Sequence, residues 1–318
     1  MANKFPLLIL TGPTAVGKTN LSIRLAKALG GEIISADSMQ VYKHMDIGSA
    51  KIRTEEMEGI PHHMLDILEP WEEFNVVIFK EKVKTCIREI VERGHIPILT
   101  GGTGFYIQAV LYDIDFTENE ENAEIRQKLE KLAEEKGAEY LHDMLKQVDK
   151  ESAESIHANN KKRVIRALEF YELTGKKISQ HNETERAKQS AYASCYFVLS
   201  DDRAALYERI DKRVDNMLKD GLVEEVEGLK NMGCDRSLVS MQGLGYKEIL
   251  SYLDGEISLE EAVYLIKRDT RHFAKRQLTW FRREKDVIWV EKDRFGYDEE
   301  KILQFILTTF RERVLQGL

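Results

Sequence analysis

The sequence predicts an α/β fold in which a parallel sheet is flanked by helices, with an all-helical domain inserted into the chain. Short apolar runs alternate with segments of helical periodicity, and the early runs end at glycine-rich or acidic turns. Such alternation is typical of a parallel sheet whose functional loops meet at one edge. From Glu118 to about Ser179 the helical period continues without a strand pattern. We therefore predict a core formed by residues 1–114 and 193–318, and a helical insertion over 115–192.

The first half of the core follows the strand–helix alternation in order. Phe5–Thr11 is an apolar run that ends at Gly-Pro, as a buried strand does. An amphipathic helix is predicted from Lys18 to Leu29, where two glycines stop it. A strand at Glu32–Ala36, a helix at Val76–Val91 and a strand at His95–Thr100 follow.

The second half returns to this pattern after the insertion. We predict a strand at Cys195–Leu199 and then one long helix over Ala204–Asn231. A further helix is predicted near Ser258–Lys285, followed by a short strand at Val287–Val290 and a closing helix at Glu299–Leu315.

Composition limits the class of protein. The chain has 318 residues, of which 42% are hydrophobic, enough for one full-sized domain and a smaller one. The apolar run near the start is too short for a secretion signal or a membrane span. Cys86, Cys195 and Cys234 form no CxxC pair, which argues for a reducing compartment and against a disulfide framework or zinc site. We predict a cytoplasmic monomer without membrane association or an obligate protein partner.

The charge distribution is more informative than its sum. The net charge of −8 excludes a general polyanion-binding protein. However, residues 115–158 hold thirteen acidic and six basic residues, so that segment alone contributes −7. Positive charge is concentrated in two runs, Lys161–Arg166 and Lys267–Lys285. A local nucleic-acid site therefore remains compatible with the overall sign.

An eight-residue stretch after the first strand matches the P-loop pattern of glycine, four residues and Gly-Lys-Thr. The backbone amides of such a loop, with the N-terminus of the next helix, bind phosphate. Lys18 would add charge to the terminal phosphates, and the Thr19 hydroxyl would bind Mg²⁺. We therefore predict a P-loop core of the nucleoside-kinase type, although the pattern does not specify the reaction. The predicted phosphate-binding residues are Gly12, Pro13, Thr14, Ala15, Val16, Gly17, Lys18 and Thr19.

Further motifs follow the P-loop in a fixed order. Asp37 ends the second strand at the P-loop edge, where a carboxylate could bind Mg²⁺, cap a helix or act as a base. The motifs are Asp37–Tyr42, Met45–Gly48, Gly59–His63, Gly101–Tyr106, Gln242–Glu248 and Lys275–Arg282. Together they resemble the tRNA dimethylallyltransferase (tRNA isopentenyltransferase) family, bacterial type. The resemblance extends from Leu7 to about Val290, nearly the whole chain.

The resemblance implies a Mg²⁺-dependent enzyme that acts on tRNA with dimethylallyl diphosphate as donor. The five-carbon group would go to N6 of the adenosine directly 3′ of the anticodon (position 37), in tRNAs that read codons beginning with U, giving N6-isopentenyladenosine. By the same resemblance Asp37 is the base, and Thr14, Thr103 and Arg213 surround the donor and the reacting adenine, with Arg213 as a further clamp on the diphosphate. Taken alone, Arg213 would be interpreted as a solvated arginine on a helix.

Two groups of residues are predicted to contact tRNA. Ser38, Met39 and Gln40 resemble the family's base-contacting segment, and the Gln40 amide could read an adenine edge. Gln242, in the motif Gln242–Glu248, is also predicted to contact tRNA. The remaining predicted contacts are basic residues that would meet phosphates, although a solvated charged face is the common alternative. They are Arg268, Arg271, Lys275 and Arg282 on one helix face, and Lys161, Arg163 and Arg166 in the insertion.

The sequence leaves three alternatives open. They are a prenyltransferase acting on free AMP, a small-molecule kinase, and a non-catalytic RNA-binding NTPase. The insertion and the basic helix argue against free AMP as acceptor, because a mononucleotide needs neither. The His62-His63 pair is interpreted as structural, because adjacent residues point apart and no third ligand is at suitable spacing.

Overall fold

The computed structural model describes residues 4–116 and 123–317. Its strands form a six-stranded sheet in the order β3-β2-β4-β1-β5-β6, and every neighbouring pair is parallel. The strands are β1 (Pro6–Thr11), β2 (Gly31–Ala36), β3 (His62–His63), β4 (Ile96–Gly101), β5 (Ala193–Ser200) and β6 (Val287–Glu291). The predicted α/β fold with a parallel sheet is therefore confirmed.

Helices separate most strands in the first part of the core, whereas several helices follow one another before β5 and again between β5 and β6. They are α1 (Lys18–Leu29), α2 (Val76–Glu92), α3 (Gly104–Leu111), α4 (Ala123–Lys136), α5 (Ala138–Val148), α6 (Lys150–Ser155), α7 (Lys161–Thr174), α8 (Ile178–Ala187), α9 (Arg203–Lys219), α10 (Leu222–Asn231), α11 (Tyr246–Leu253), α12 (Leu259–Phe281) and α13 (Glu299–Arg313). Within the described ranges, no helix is both long and apolar enough to span a bilayer.

The chain divides into two compact units, one of Met1–Val110 with Ala191–Leu318, the other of Leu111–Ser190. The first has a core between the sheet and its helices, in which Leu8 and Leu10 of β1 pack with Leu25 and Phe310. The second has its own core, where Leu129, Leu145, Val164 and Leu168 meet. The predicted start of the helical segment at Glu118 lies outside the described residues, and the role of the insertion in tRNA contact stays a prediction.

The strand register brings three loops together. Thr11 of β1 and Ala36 of β2 are both in register with Gly101 of β4. Because all three strands run parallel, the P-loop, Asp37 and the Gly101–Gly104 turn leave the sheet at the same edge. This edge is where ligands bind in open α/β sheets.

The predicted single helix over Ala204–Asn231 is wrong. The chain breaks between α9 and α10 at Gly221, which has φ +102° and so leaves the helical region. No strand or helix was predicted at β3, α3 or α11. The other predicted strands and helices of the core match, with shifts of one to four residues at their ends.

Candidate active site

The P-loop has an unusual backbone that only some residues can adopt. Gly12 and Gly17 have φ of +148° and +100°. A Cβ on Gly12 would lie 2.5 Å from the Leu199 carbonyl oxygen of β5, so no side chain fits there. Gly17 precedes α1 and offers no side-chain cap, which leaves the first amides of this helix available to an anion.

Ala15 is also in the left-handed region, with φ +62°, where a residue with a Cβ is disfavoured. Its carbonyl oxygen accepts a hydrogen bond from Arg209 Nε at 3.1 Å. Arg209 is in turn held by the buried Asp201 carboxylate at 2.5 Å. Arg209, on α9, and Asp201 therefore stabilise the strained loop. Neither was among the predicted site residues.

The Lys18 side chain curls back across the loop. Its Nζ donates to the Gly12 and Pro13 carbonyl oxygens at 2.9 and 2.8 Å. Burial, and then the positive charge of Arg213, lower the pKa of Lys18 to about 7, against the opposing effect of Asp37. An anion in the loop would favour the charged lysine, so the site is electrostatically prepared for a diphosphate.

Asp37 lies directly after β2, and its Oδ1 accepts a hydrogen bond from the Met39 amide at 2.8 Å. Burial raises the pKa of the Asp37 carboxyl, and the Met39 amide with the charges of Lys18 and Arg213 offsets part of the rise. Arg213 donates to Thr14 Oγ1 at 3.2 Å. The structure thus brings together the predicted base, the P-loop lysine and the predicted diphosphate clamp.

Gln277 connects this site to α12. Its Oε1 accepts from the Thr14 amide at 2.9 Å, and its Nε2 donates to the Gly102 carbonyl at 3.0 Å. A Cβ on Gly102 would lie 2.2 Å from Gln277 Nε2, and one on Gly104 would lie 2.2 Å from Trp280 Cδ1. The glycine turn after β4 is therefore packed against α12 without room for side chains. Gln277 is only 6% exposed although it lies in a strongly basic helix. It was not among the predicted site residues.

Comparison with known proteins shows the family of the chain. The profile of the IPP transferase family matches residues 40–284, which is more than half of the chain. The chain belongs to the IPP transferase family. It is 62% identical over 311 residues to the tRNA dimethylallyltransferase of Lachnoclostridium phytofermentans, covering 98% of this chain and 99% of the relative. The corresponding enzyme of Acetivibrio thermocellus is 54% identical over 306 residues, covering 96% and 98%.

Solved structures of similar proteins agree. The tRNA isopentenylpyrophosphate transferase from Bacillus halodurans is 43% identical with a TM-score of 0.74, over 99% of both chains. A eukaryotic dimethylallyltransferase acting on tRNA is 31% identical with a TM-score of 0.76, over 90% of this chain and 74% of that one. The predicted family and the P-loop type of fold are confirmed.

In this IPP transferase family member, hydrogen bonds within the protein hold Gln40, which lies three residues after Asp37. Gln40 Oε1 accepts from the Ser35 hydroxyl at 2.9 Å, and its Nε2 donates to the Ser49 and Ala50 carbonyls at 3.3 Å. These bonds engage both hydrogens of the Gln40 amide and one of the two acceptor positions of its oxygen, so Gln40 braces the loop. Its contact with adenine stays a prediction. Gln242 is exposed, and its Nε2 donates to the Arg236 carbonyl.

Three other predicted tRNA-binding residues, Ser38, Met39 and Thr103, lie near the predicted catalytic base Asp37. Ser38 and Met39 are partly exposed and follow Asp37 directly. A Cβ on Gly243 would lie 2.7 Å from Met39 Cε, so Met39 packs against the loop before α11. Thr103 donates its amide to the Ala36 carbonyl at 3.3 Å, which puts it next to Asp37.

The predicted phosphate contacts on α12 and at its C-cap, Arg282, fall into two groups. Residues such as Ile266, Ala274 and Phe281 bury the opposite face of the helix. Arg271 pairs with Asp211 at 2.5 Å and Arg268 with Asp269 at 2.7 Å. Lys275 and Arg282 are exposed, and within the described part of the chain they have no ion-pair partner. These two are the better placed to meet RNA phosphates.

Replacing Lys275 or Arg282 by alanine should weaken binding of every tRNA and lower the log–log salt slope by roughly 0.7–0.9. Arg271→Ala is the matched control and should lower it less, because Asp211 already neutralises Arg271. The measurement is tRNA affinity over a salt series. An unchanged slope in both Lys275→Ala and Arg282→Ala would show that this face is solvated surface that does not contact RNA phosphates.

In the insertion, the predicted phosphate contacts differ among themselves. Lys161 and Arg163 are exposed in the first turn of α7. Arg166 donates to the fully buried Glu169 carboxylate at 3.1 Å, which also accepts from Arg126 at 3.0 Å. Arg166 therefore has a structural partner within its own unit.

Of the His62-His63 pair, only His63 belongs to an ion cluster around Glu32, whereas His62 Nδ1 lies 2.8 Å from the Ile60 carbonyl oxygen. Glu32 is 2% exposed and accepts from Arg93 at 2.7 and 3.1 Å. His63 Nε2 and His95 Nδ1 each lie 2.6 Å from its carboxylate. Throughout the described ranges, no group of three or more His, Cys, Asp or Glu side chains has metal-binding geometry.

Glu32→Gln should lower the free energy of unfolding by about 3 kcal/mol at neutral pH, because it breaks a buried ionic cluster. Hydrogen bonds from Arg93, then from His63 and His95, outweigh burial and lower the pKa of Glu32 from 4.5 to about 2. Since the folded pKa is depressed, this stabilisation is complete above pH 4.5 and is lost as pH falls towards 2. The difference between the two proteins in urea unfolding should therefore shrink from pH 6 to pH 3. The exposed Glu58→Gln is the control, and a pH-independent difference would contradict the assignment.

Proposed function

We propose that this chain transfers the dimethylallyl group of dimethylallyl diphosphate to N6 of the adenosine 3′ of the anticodon in tRNA. The observation that carries the proposal is the meeting of Asp37, Lys18, Arg213 and Thr14 at one sheet edge in a chain of this family. The relatives named above are tRNA dimethylallyltransferases, and one solved neighbour is described as acting on tRNA.

The P-loop and two cations suit the donor's diphosphate. The amides of the loop and the N-terminus of α1 face an anion, while Lys18 and Arg213 add positive charge. Charge grows on the bridging oxygen as the carbon–oxygen bond breaks, and fixed cations stabilise that change most where water is excluded. Arg213 is half-buried and donates a hydrogen bond to Thr14, which fits such a fixed clamp.

Asp37 provides the base. The adenine N6 amine is a weak nucleophile because its lone pair is delocalised into the ring. In the proposed step the N6–carbon bond forms, the carbon–oxygen bond to the diphosphate breaks, and one N6 proton passes to Asp37. A carboxylate whose pKa is raised by burial accepts a proton more readily than an exposed one.

Magnesium fits the residues present at the P-loop. Thr19 is exposed at the start of α1 and would supply one hydroxyl oxygen. Mg²⁺ is usually held by one or two protein oxygens together with phosphates and water, so a cluster of carboxylates is not required. When bound, the ion would neutralise charge on the leaving diphosphate.

Chelation of divalent cations should abolish most prenyl transfer, and Thr19→Ala should raise the Mg²⁺ concentration needed for half-maximal rate. The reason is the single hydroxyl that Thr19 would contribute to the metal. The measurement is initial rate over a Mg²⁺ titration, with the wild type in EDTA as reference. Full activity in EDTA would contradict the metal assignment.

The acceptor is a folded RNA rather than a mononucleotide. The exposed basic face of α12 supplies phosphate contacts that free AMP would not need. The target base must leave the loop stack, because Asp37 and Lys18 are both desolvated by burial.

The test uses radiolabelled dimethylallyl diphosphate and, in parallel, labelled ATP, each with unmodified tRNA or AMP. Label passing from the prenyl donor into tRNA alone supports the proposal. Label in AMP would make the chain a free-nucleotide prenyltransferase, and phosphate transfer from ATP would make it a kinase.

A further inference from the structure

A lysine outside the P-loop pattern lies against the loop. Lys292 directly follows β6 and begins the 3₁₀ turn Lys292–Phe295. Its Nζ lies 3.1 Å from the point that a Cβ on Gly17 would occupy. Gly17 is the residue before Lys18, at the loop's junction with α1. The ammonium group therefore approaches the phosphate-binding amides from a separate element.

The charge of Lys292 has no partner elsewhere in the described ranges. The neighbouring Glu291 carboxylate pairs with Arg294 instead. Lys292 itself is half-buried and forms no ion pair or side-chain hydrogen bond with any described residue. A cation beside the N-terminus of a helix is unfavourable, because that end already carries partial positive charge. Binding of an anion between them would remove this repulsion.

The sheet order shows which end of the diphosphate Lys292 would meet. β2, which carries Asp37, and β6, which carries Lys292, lie on opposite sides of β1. The reacting carbon must face Asp37, so the phosphate that bears the prenyl group lies towards β2. The terminal phosphate then points towards β6.

We propose that Lys292 binds the terminal phosphate of the donor, and of the inorganic pyrophosphate that the reaction releases. This inference rests on the proposed function, because it assigns a further residue to the same donor site. Lys18 and Arg213 would hold the diphosphate from the reacting side, and Lys292 would close its open end. Lys292 makes no contact with the reacting atoms, so it contributes to binding of donor and product.

The experiment measures inorganic pyrophosphate binding to the free, full-length protein by calorimetry at low salt. Lys292→Ala should weaken this binding roughly five- to tenfold, as expected for a partly solvated charge-assisted hydrogen bond. Lys292→Arg should retain most of the affinity. Arg294→Ala, which removes a nearby cation that pairs with Glu291, is the matched control and should stay within about twofold of the wild type.

Steady-state kinetics and tRNA binding provide the second readout. In Lys292→Ala, KM for the donor should rise by a similar factor, whereas kcat and tRNA affinity should be nearly unchanged. Equal pyrophosphate affinity in Lys292→Ala and Arg294→Ala would overturn the inference and leave the proposed function intact. A wild-type protein that binds no pyrophosphate would overturn both, and a loss of tRNA affinity would make Lys292 an RNA contact instead.

Discussion

Asp37→Asn should lower kcat for prenyl transfer by roughly 10²–10⁴-fold while leaving tRNA affinity near that of the wild type. Asparagine keeps the oxygen that accepts the Met39 amide hydrogen bond but cannot take a proton. The loss should therefore appear in the chemical step and not in docking. Single-turnover transfer, measured beside tRNA binding, distinguishes the two.

The same residue should give the pH profile of kcat/KM its acidic limb. A base must be ionised to act, so the rate falls as pH drops through the pKa of Asp37 in the free enzyme. Because burial raises this pKa, the limb should lie above the usual range of an aspartate. The limb should be absent from the residual activity of Asp37→Asn. A variant with normal turnover and weak tRNA binding would make Asp37 a positioning residue.

Lys18→Ala should reduce kcat/KM for the donor by roughly 10²–10³-fold, the usual cost of removing a fixed donor that stabilises transition-state charge. Lys27→Ala, on the exposed side of the same helix, is the matched control because Lys27 only pairs with Glu58. Donor kinetics at saturating tRNA provide the comparison. A change below twofold in Lys18→Ala would show that the loop amides alone hold the diphosphate.

The affinity for pyrophosphate should also depend on pH through Lys18. With a pKa of about 7 in the free protein, Lys18 is charged below neutrality and loses its proton as pH rises. The bound anion favours the charged form, so binding should take up a proton and weaken progressively above pH 7. Lys18→Ala should lack this dependence between pH 6 and pH 9. An identical pH dependence in Lys18→Ala would show that another group takes up the proton when pyrophosphate binds.

The fold and the central chemistry could be predicted because their signals are contiguous. The P-loop occupies consecutive positions between a strand and a helix, and Asp37 follows the next strand directly. The predicted strand ends lie close to the observed ones because apolar runs stop at glycines. The break at Gly221 was missed because a single glycine can remain inside a helix at a cost of only about 1 kcal/mol. Only its positive φ shows that the helix ends there.

The hydrogen-bond partners of two glutamine side chains, Gln277 and Gln40, could not be predicted from the sequence. Gln277 hydrogen-bonds to Gly102 and Thr14, which lie 175 and 263 residues away along the chain. Its position on the buried face with Ala274 and Phe281 was visible in the helical period, but its partners were not. Gln40 was predicted to read adenine because its chemistry suits that role. That role stays a prediction, and the sequence did not indicate that the Gln40 amide also hydrogen-bonds to Ser35, Ser49 and Ala50.

The strand order has a consequence for synthesis of the chain on the ribosome. β1 is made first but is central in the finished sheet, between β4 and β5. Between Gly101 and Ala193, which begins β5, translation lasts roughly 5–20 s at 5–20 residues per second. During that interval one side of β1 has unpaired backbone groups, and such an edge can pair with other chains. The helical segment emerges in the same interval and contains its own core, so it can fold before β5 arrives to cover the edge.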